Sequence, residues 1–137
     1  MLGNWVYDGE RTKFPMQVVG IGNDYVYLDF EGNEGDLWES TPEDLQGIPI
    51  TQEILEKNGF CDLKIEERKI YGKKIVLSEK KTLQLSFSPK FCTCTILEVL
   101  DDSVFGKRLE SIMAATYLHE LQNFYRMTTK QDLMINL

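Results

Sequence analysis

Over most of this chain apolar residues return at every second position, and turn signals interrupt that alternation every few residues. A period of two is the mark of a strand with one buried face, and such short runs cannot cross over helices to build a parallel sheet. The chain is therefore expected to fold around antiparallel strands. Trp5-Val6-Tyr7 reads as a strand closed by the turn Asp8-Gly9-Glu10. Met16 to Ile21 follows, with Pro15 at its start, where a missing amide is tolerated. After Gly22-Asn23-Asp24, Val26, Leu28 and Phe30 share one face and Tyr25, Tyr27 and Asp29 the other. Positions 31–36 read as a loop before Leu37-Trp38-Glu39. Four short strands at this spacing predict a small, strongly bent barrel.

The period changes twice. Thr41-Pro42-Glu43-Asp44 carries a cap residue, a proline at the first helical position and acids in the first turn, which predicts one helical turn. Thr51 caps a short helix running to Asn58, with Gly59 as its stop. Gly47-Ile48-Pro49-Ile50 is the expected joint between a barrel-like part, residues 1–47, and an α+β part, residues 48–137, in one compact unit. From Phe60 the alternation resumes as a meander of about four strands. Cys61, Leu63 and Ile65 are expected inward, then Ile75 and Leu77, then Leu83, Leu85 and Phe87, then the run Phe91 to Leu100. Val104 to Met113 fits either a strand or a helix weakened by Gly106. From Ala114 the helical period is clear: Ala114, Leu118, Leu121 and Tyr125 line one face, widened by Tyr117 and Phe124. Leu133 to Leu137 is expected to close a sheet edge.

Composition narrows the function classes. With 137 residues, 42% of them hydrophobic and 11% aromatic, the chain can bury a core without staples. Neither a membrane span nor a basic, then apolar leader is visible, so a cytoplasmic location is expected. Three cysteines leave one unpaired under any pairing, which fits a reducing compartment. The net charge is −7, unevenly spread: residues 1–60 hold twelve acids against Arg11, Lys13 and Lys57, a charge of −9, which leaves +2 for the rest. A field of that sign repels phosphate backbones and disfavours nucleic acid as a partner of the first half.

The motifs that carry chemistry are weak. Cys92 and Cys94 share a strand face, with Cys61 and His119 as distant complements, but structural zinc favours a C-x₂-C knuckle. His119 is the sole histidine, and its neighbour Glu120 points elsewhere on a helix. Asp29-x-Glu31-x-Asn33 begins like a calcium loop, yet the sixth and twelfth positions hold Glu34 and Ser40 instead of glycine and glutamate. The bases Lys64, Arg68, Lys69, Lys73, Lys74, Lys80 and Lys81 are interleaved with acids, as on the wet face of a strand pair. No catalytic residue, metal or cofactor is expected. The aromatic residues are more suggestive: Trp5, Tyr7, Tyr25, Tyr27 and Trp38 lie on neighbouring strands beside Asp29 and Glu39. If exposed together, they make an aromatic groove with an acidic rim, suited to proline-rich or basic peptides of a protein partner. An acidic mimic that occupies a host nucleic-acid-binding protein is the alternative.

Three stretches carry a resemblance. Leu2-Gly3-Asn4-Trp5-Val6-Tyr7, the run Ile48-Pro49-Ile50-Thr51-Gln52-Glu53-Ile54-Leu55-Glu56-Lys57-Asn58-Gly59-Phe60, and Tyr117-Leu118-His119-Glu120-Leu121-Gln122-Asn123-Phe124-Tyr125 resemble, in order, a family of small uncharacterised proteins of gut anaerobes, their prophages and conjugative elements. The start also resembles phage YopX-type proteins. The resemblance implies a cytoplasmic protein that opens with an SH3-like small barrel, and it brings no activity. It also implies that Val104 to Met113 is partly strand and that the last helix begins just before Tyr117.

Overall fold

The computed structural model describes residues 2–9, 12–30, 33, 35, 37–65, 68–101 and 106–137, the side chains of 12 and 13 excepted. Positions 31, 32, 34 and 36 of the expected loop lie outside the described residues, as do 104 and 105 of the ambiguous segment.

The first sheet is built from β1 (Trp5–Asp8), β2 (Thr12–Ile21), β3 (Val26–Asp29), β4 (Trp38–Ser40) and β5 (Leu45–Gly47), in the order β4-β3-β2-β1-β5. All its pairings are antiparallel. Two irregularities bend it, one between Tyr7 and Asp8 and one between Val18 and Gly20. Each extra residue tightens the local twist, and the sheet curls into a half-barrel. Its concave side holds a small core of Val6, Met16, Val18, Val26 and Leu28. The expected helical turn is a 3₁₀ turn at Pro42–Asp44, which leads into β5. Pro15 sits inside β2 opposite Tyr7, beside the first irregularity, and not at the strand's start.

The meander is the second sheet: β6 (Cys61–Asp62), β7 (Tyr71–Ser78), β8 (Lys81–Ser88), β9 (Thr93–Val99) and β10 (Lys107–Ala114), ordered β10-β9-β8-β7-β6. Its inner face supplies Leu83, Leu85, Phe87, Cys94 and Ile96 to the larger core. The helices α1 (Gln52–Lys57) and α2 (Leu118–Thr129) complete that core with Leu55, Leu118, Leu121, Phe124 and Tyr125. Burying each such side chain is worth about 1.5–3 kcal/mol. The molecule is thus α+β, with two antiparallel sheets and two helices.

Three further expectations are corrected. The alternation from Cys61 fails after two residues: Lys64 takes a left-handed φ of 52°, and Cys61 and Ile65 are exposed. Leu63 instead folds over Gly72, where an added Cβ would lie 2.8 Å from its Cδ1. The last helix does not begin at Ala114. That residue ends β10, Tyr117 is extended at φ −113°, and Glu120 Oε1 accepts the amides of Thr116 and Tyr117, which fixes the helix start at Leu118. Finally, residues 133–137 form no strand. Asn58 Nδ2 donates to Asn136 O at 2.9 Å, and Asn136 N donates back to Asn58 Oδ1 at 2.7 Å, holding the tail so that Leu133 and Ile135 are buried.

Candidate functional site

The seam between the half-barrel and the second layer follows from alternation in β1. Val6 and Asp8 point into the small core, so Trp5 and Tyr7 point the other way, against the larger core. The polar face of α2 meets them. Asn4 Nδ2 donates to Asn123 Oδ1 at 2.9 Å, and the buried Gln122 accepts the Trp5 amide and donates to Gly3 O.

Tyr7 remains half-buried and lines two adjoining depressions along this seam. The larger, about 740 Å³, is walled by Tyr7, Gln46, Gly47, Pro49, Tyr117, His119 and Glu120. The smaller, about 370 Å³, runs on past Pro49 toward α1 and includes Pro15, Glu53 and Lys57. Gly47 is required here, because a Cβ would stand 2.4 Å from the Tyr117 Cγ. Its absence lets the Tyr117 ring lie flat on β5. The His119 ring stacks on Tyr117 at 5.9 Å between centroids, with an interplanar angle of 8°. Pro49 bridges to Tyr117, and Leu118 N donates to Ile48 O at 2.8 Å, so the residues just after β5 are tied to the helix start.

Burial pulls the His119 pKa below its usual value, against an opposing pull from Glu120, and leaves the imidazole neutral at pH 7. Its Nδ1 is shielded from water and has no hydrogen-bond partner among the described residues. Glu120 Oε1 accepts two backbone amides, which commits that oxygen to the helix start. Cys94 is buried, donates to Met113 O, and has its thiol pushed up to about 12 by burial, which makes it inert at neutral pH. Among the described residues no three His, Cys, Asp or Glu side chains gather as a metal site. This arrangement can stack rings and accept an extended chain.

The seven residues singled out from sequence are dispersed. Trp5 donates its indole N–H to Ile135 O at 3.1 Å and packs on the larger core. Trp38 lies across the sheet, packed on the small core, with its indole N–H donating to Asp8 Oδ2 at 2.7 Å. Asp29 Oδ1 accepts from Phe30 N and Asn33 Nδ2 and closes a local turn. Tyr27 stands opposite Gly20 on one side and the exposed Glu39 on the other, while Tyr25 is exposed before β3 begins. The structure thus brings Tyr27 and Glu39 together and sets the two tryptophans apart. Sequence reasoning placed Tyr117 on the apolar stripe of the last helix and gave His119 no role, so neither entered the expected surface. The signal was there in their spacing of two, which matches an extended cap residue followed by the first helical turn.

Comparison with family models, curated proteins and solved structures finds no match for this chain. No helix among the described residues is long and apolar enough to cross a membrane.

Proposed function

We propose that this chain is a non-catalytic interaction module that seats an extended, proline-containing peptide of a protein partner in the seam groove. The observation that carries this reading is the wall formed by Tyr7, Pro49 and the stacked Tyr117–His119 pair. Proline-rich segments prefer such aromatic troughs because their backbone is already extended and loses little entropy on docking. The partner surface expected from sequence, Trp5, Tyr7, Tyr25, Tyr27, Asp29, Trp38 and Glu39, contributes Tyr7 to this wall. Both tryptophan N–H groups serve intramolecular bonds, which favours the seam over the barrel face.

The strand order β4-β3-β2-β1-β5 and the 3₁₀ turn before β5 support an SH3-like reading of the half-barrel. A cytoplasmic location is supported by the odd number of cysteines and by the resemblance, and an origin in a mobile element by the resemblance. The reading as an acidic mimic has less support, because Asp8, Asp29 and Asp44 commit oxygens to Trp38, Asn33 and Thr41.

The test is a titration of fluorescent ten-residue peptides containing Pro-x-x-Pro with lysine or arginine flanks, read by anisotropy. Binding is expected in the micromolar range, with about a tenfold loss in Tyr117→Ala and none in Tyr25→Ala. Equal binding by wild type and Tyr117→Ala overturns the assignment, as does the absence of binding to every peptide.

A further inference from the structure

The second sheet ends in the eight-residue β10, which pairs with β9 along one side and, among the described residues, with nothing along the other. A free strand edge is a row of unpaired amides and carbonyls ready for another strand. On it Leu109 is 55% exposed and Ile112 60%.

In a regular strand these two could not act together, since residues three apart point to opposite faces. The ladder with β9 removes that obstacle. Leu109 pairs with Leu97 and Ser111 with the adjacent Ile96, so Glu110 is an extra residue and every face after it shifts by one. Lys107, Leu109, Ile112 and Ala114 therefore share the outer face, and Arg108, Ser111 and Met113 the inner one.

The seven paired positions, with Glu110 set aside, are symmetric about Ser111. A second copy laid antiparallel on this edge, with the two-fold axis at Ser111, brings Leu109 opposite Ile112 of the second copy and Ile112 opposite Leu109. Arg108 then meets Met113, and Lys107 meets Ala114. Apolar cross-strand pairs of this kind stabilise, like charges directly opposite destabilise, and this register contains none of the latter. Arg108 is already neutralised by ion pairs to Glu98 and Glu110. Residues 61–137 carry only +2 of the net charge, so two copies meeting here keep the −9 of residues 1–60 out of the contact. An isologous interface needs this self-complementarity.

We propose that β10 is a homodimerisation edge, through which two copies join their second sheets into one continuous sheet across Ser111. A single strand pair is a small interface, so a weak, concentration-dependent dimer is expected. The surface is separate from the seam groove, so its failure leaves the peptide reading intact.

The experiment combines sedimentation velocity with directed cross-linking in a Cys61→Ser, Cys92→Ser background. Wild type is expected to pass from monomer to dimer with concentration, and the double variant Leu109→Lys, Ile112→Lys to remain monomeric with an unchanged circular-dichroism spectrum. On oxidation, Ser111→Cys is expected to form a covalent dimer, since facing strand residues bring their Cα atoms within disulfide reach. Lys107→Cys, far from its own symmetry mate, is expected not to. The proposal fails if wild type stays monomeric up to about 0.5 mM. It also fails if Lys107→Cys cross-links as well as Ser111→Cys, or if the charged double variant dimerises like wild type.

Discussion

The backbone amide of Trp5 donates to Gln122 Oε1 at 3.0 Å, joining residues 117 positions apart in the chain. The same side chain donates to Gly3 O and Leu133 O, so one buried amide holds the first strand, the last helix and the tail. Gln122→Ala removes a partner from three backbone groups, of which Gly3 O keeps the Gln17 amide, so the Trp5 amide and Leu133 O are the ones left without it. Each buried group left unsatisfied costs about 1–3 kcal/mol, and some of that is recovered as water enters. We expect a loss of about 2–4 kcal/mol in urea unfolding. Amides of β1 and β2 should exchange faster in the variant; unchanged exchange there would contradict the role given to Gln122.

Trp38 and Asp8 form a second polar contact, this one under the small core. Asp8 is only 2% exposed, and its Oδ2 accepts the Trp38 indole N–H. Trp38→Phe removes the donor and replaces the indole with a smaller ring, at an expected cost of at least about 1.5–3 kcal/mol, the worth of a hydrogen bond to a charged group. Asp8→Asn retains an acceptor and should cost less than Trp38→Phe. Chemical denaturation of both variants checks the order, and the reverse ranking would show that the indole bond is not the main contribution.

Much of the fold was legible because alternation and turn chemistry are local. The small core of Val6, Val26 and Leu28 follows from a period of two, and the helix at Thr51 to Asn58 from its cap and the glycine after it. Three features depended on long-range partners and were not legible. Lys64 leaves the strand because Leu63 must cover Gly72, a contact invisible in the alternation. Ala114 has high helix propensity, yet β9 claims it for a ladder. The tail reads as a strand, but Asn58 and Trp5 take its carbonyls. The site was the least legible part. The aromatic residues were visible, but whether an indole faces one core or the other is decided by which strand becomes its neighbour.

Gly47→Ala tests how the groove is held open. Its Cβ would overlap the Tyr117 ring, 2.4 Å from Cγ, so ring or strand must move. Overpacking of this kind costs about 1–3 kcal/mol. Because Tyr117 and His119 stack, a displaced tyrosine should also shift the His119 imidazole resonances. Unmoved resonances together with full stability would show that the ring does not rest on β5.

The His119 titration gives a pH signature at the acid end. Burial lowers its folded pKa below the unfolded value of about 6.5, so the folded state resists protonation. Below that pH the unfolded chain binds the proton first, and stability falls as pH drops toward the folded pKa. His119→Gln should flatten the stability profile below about pH 6.5. An equal slope in wild type and variant would assign that window to the carboxylates.

Cys94 acts at the opposite end of the scale. Its thiol pKa is raised by burial from 9.0 to about 12, so the folded chain keeps the proton that the unfolded chain gives up. The stability from the neutral thiol is complete below pH 9 and is lost as pH rises from there toward 12. Burial of Tyr125 raises its phenol pKa and adds to the same alkaline loss. Cys94→Ala should therefore be less stable at neutral pH, because a buried sulfur is removed, yet decline less steeply above pH 9. Thiol labelling gives an independent check. In native protein the exposed Cys61 should react with a disulfide reagent at pH 8, while Cys94 should react only after unfolding. Rapid native labelling of Cys94 would mean that the larger core opens locally along β9.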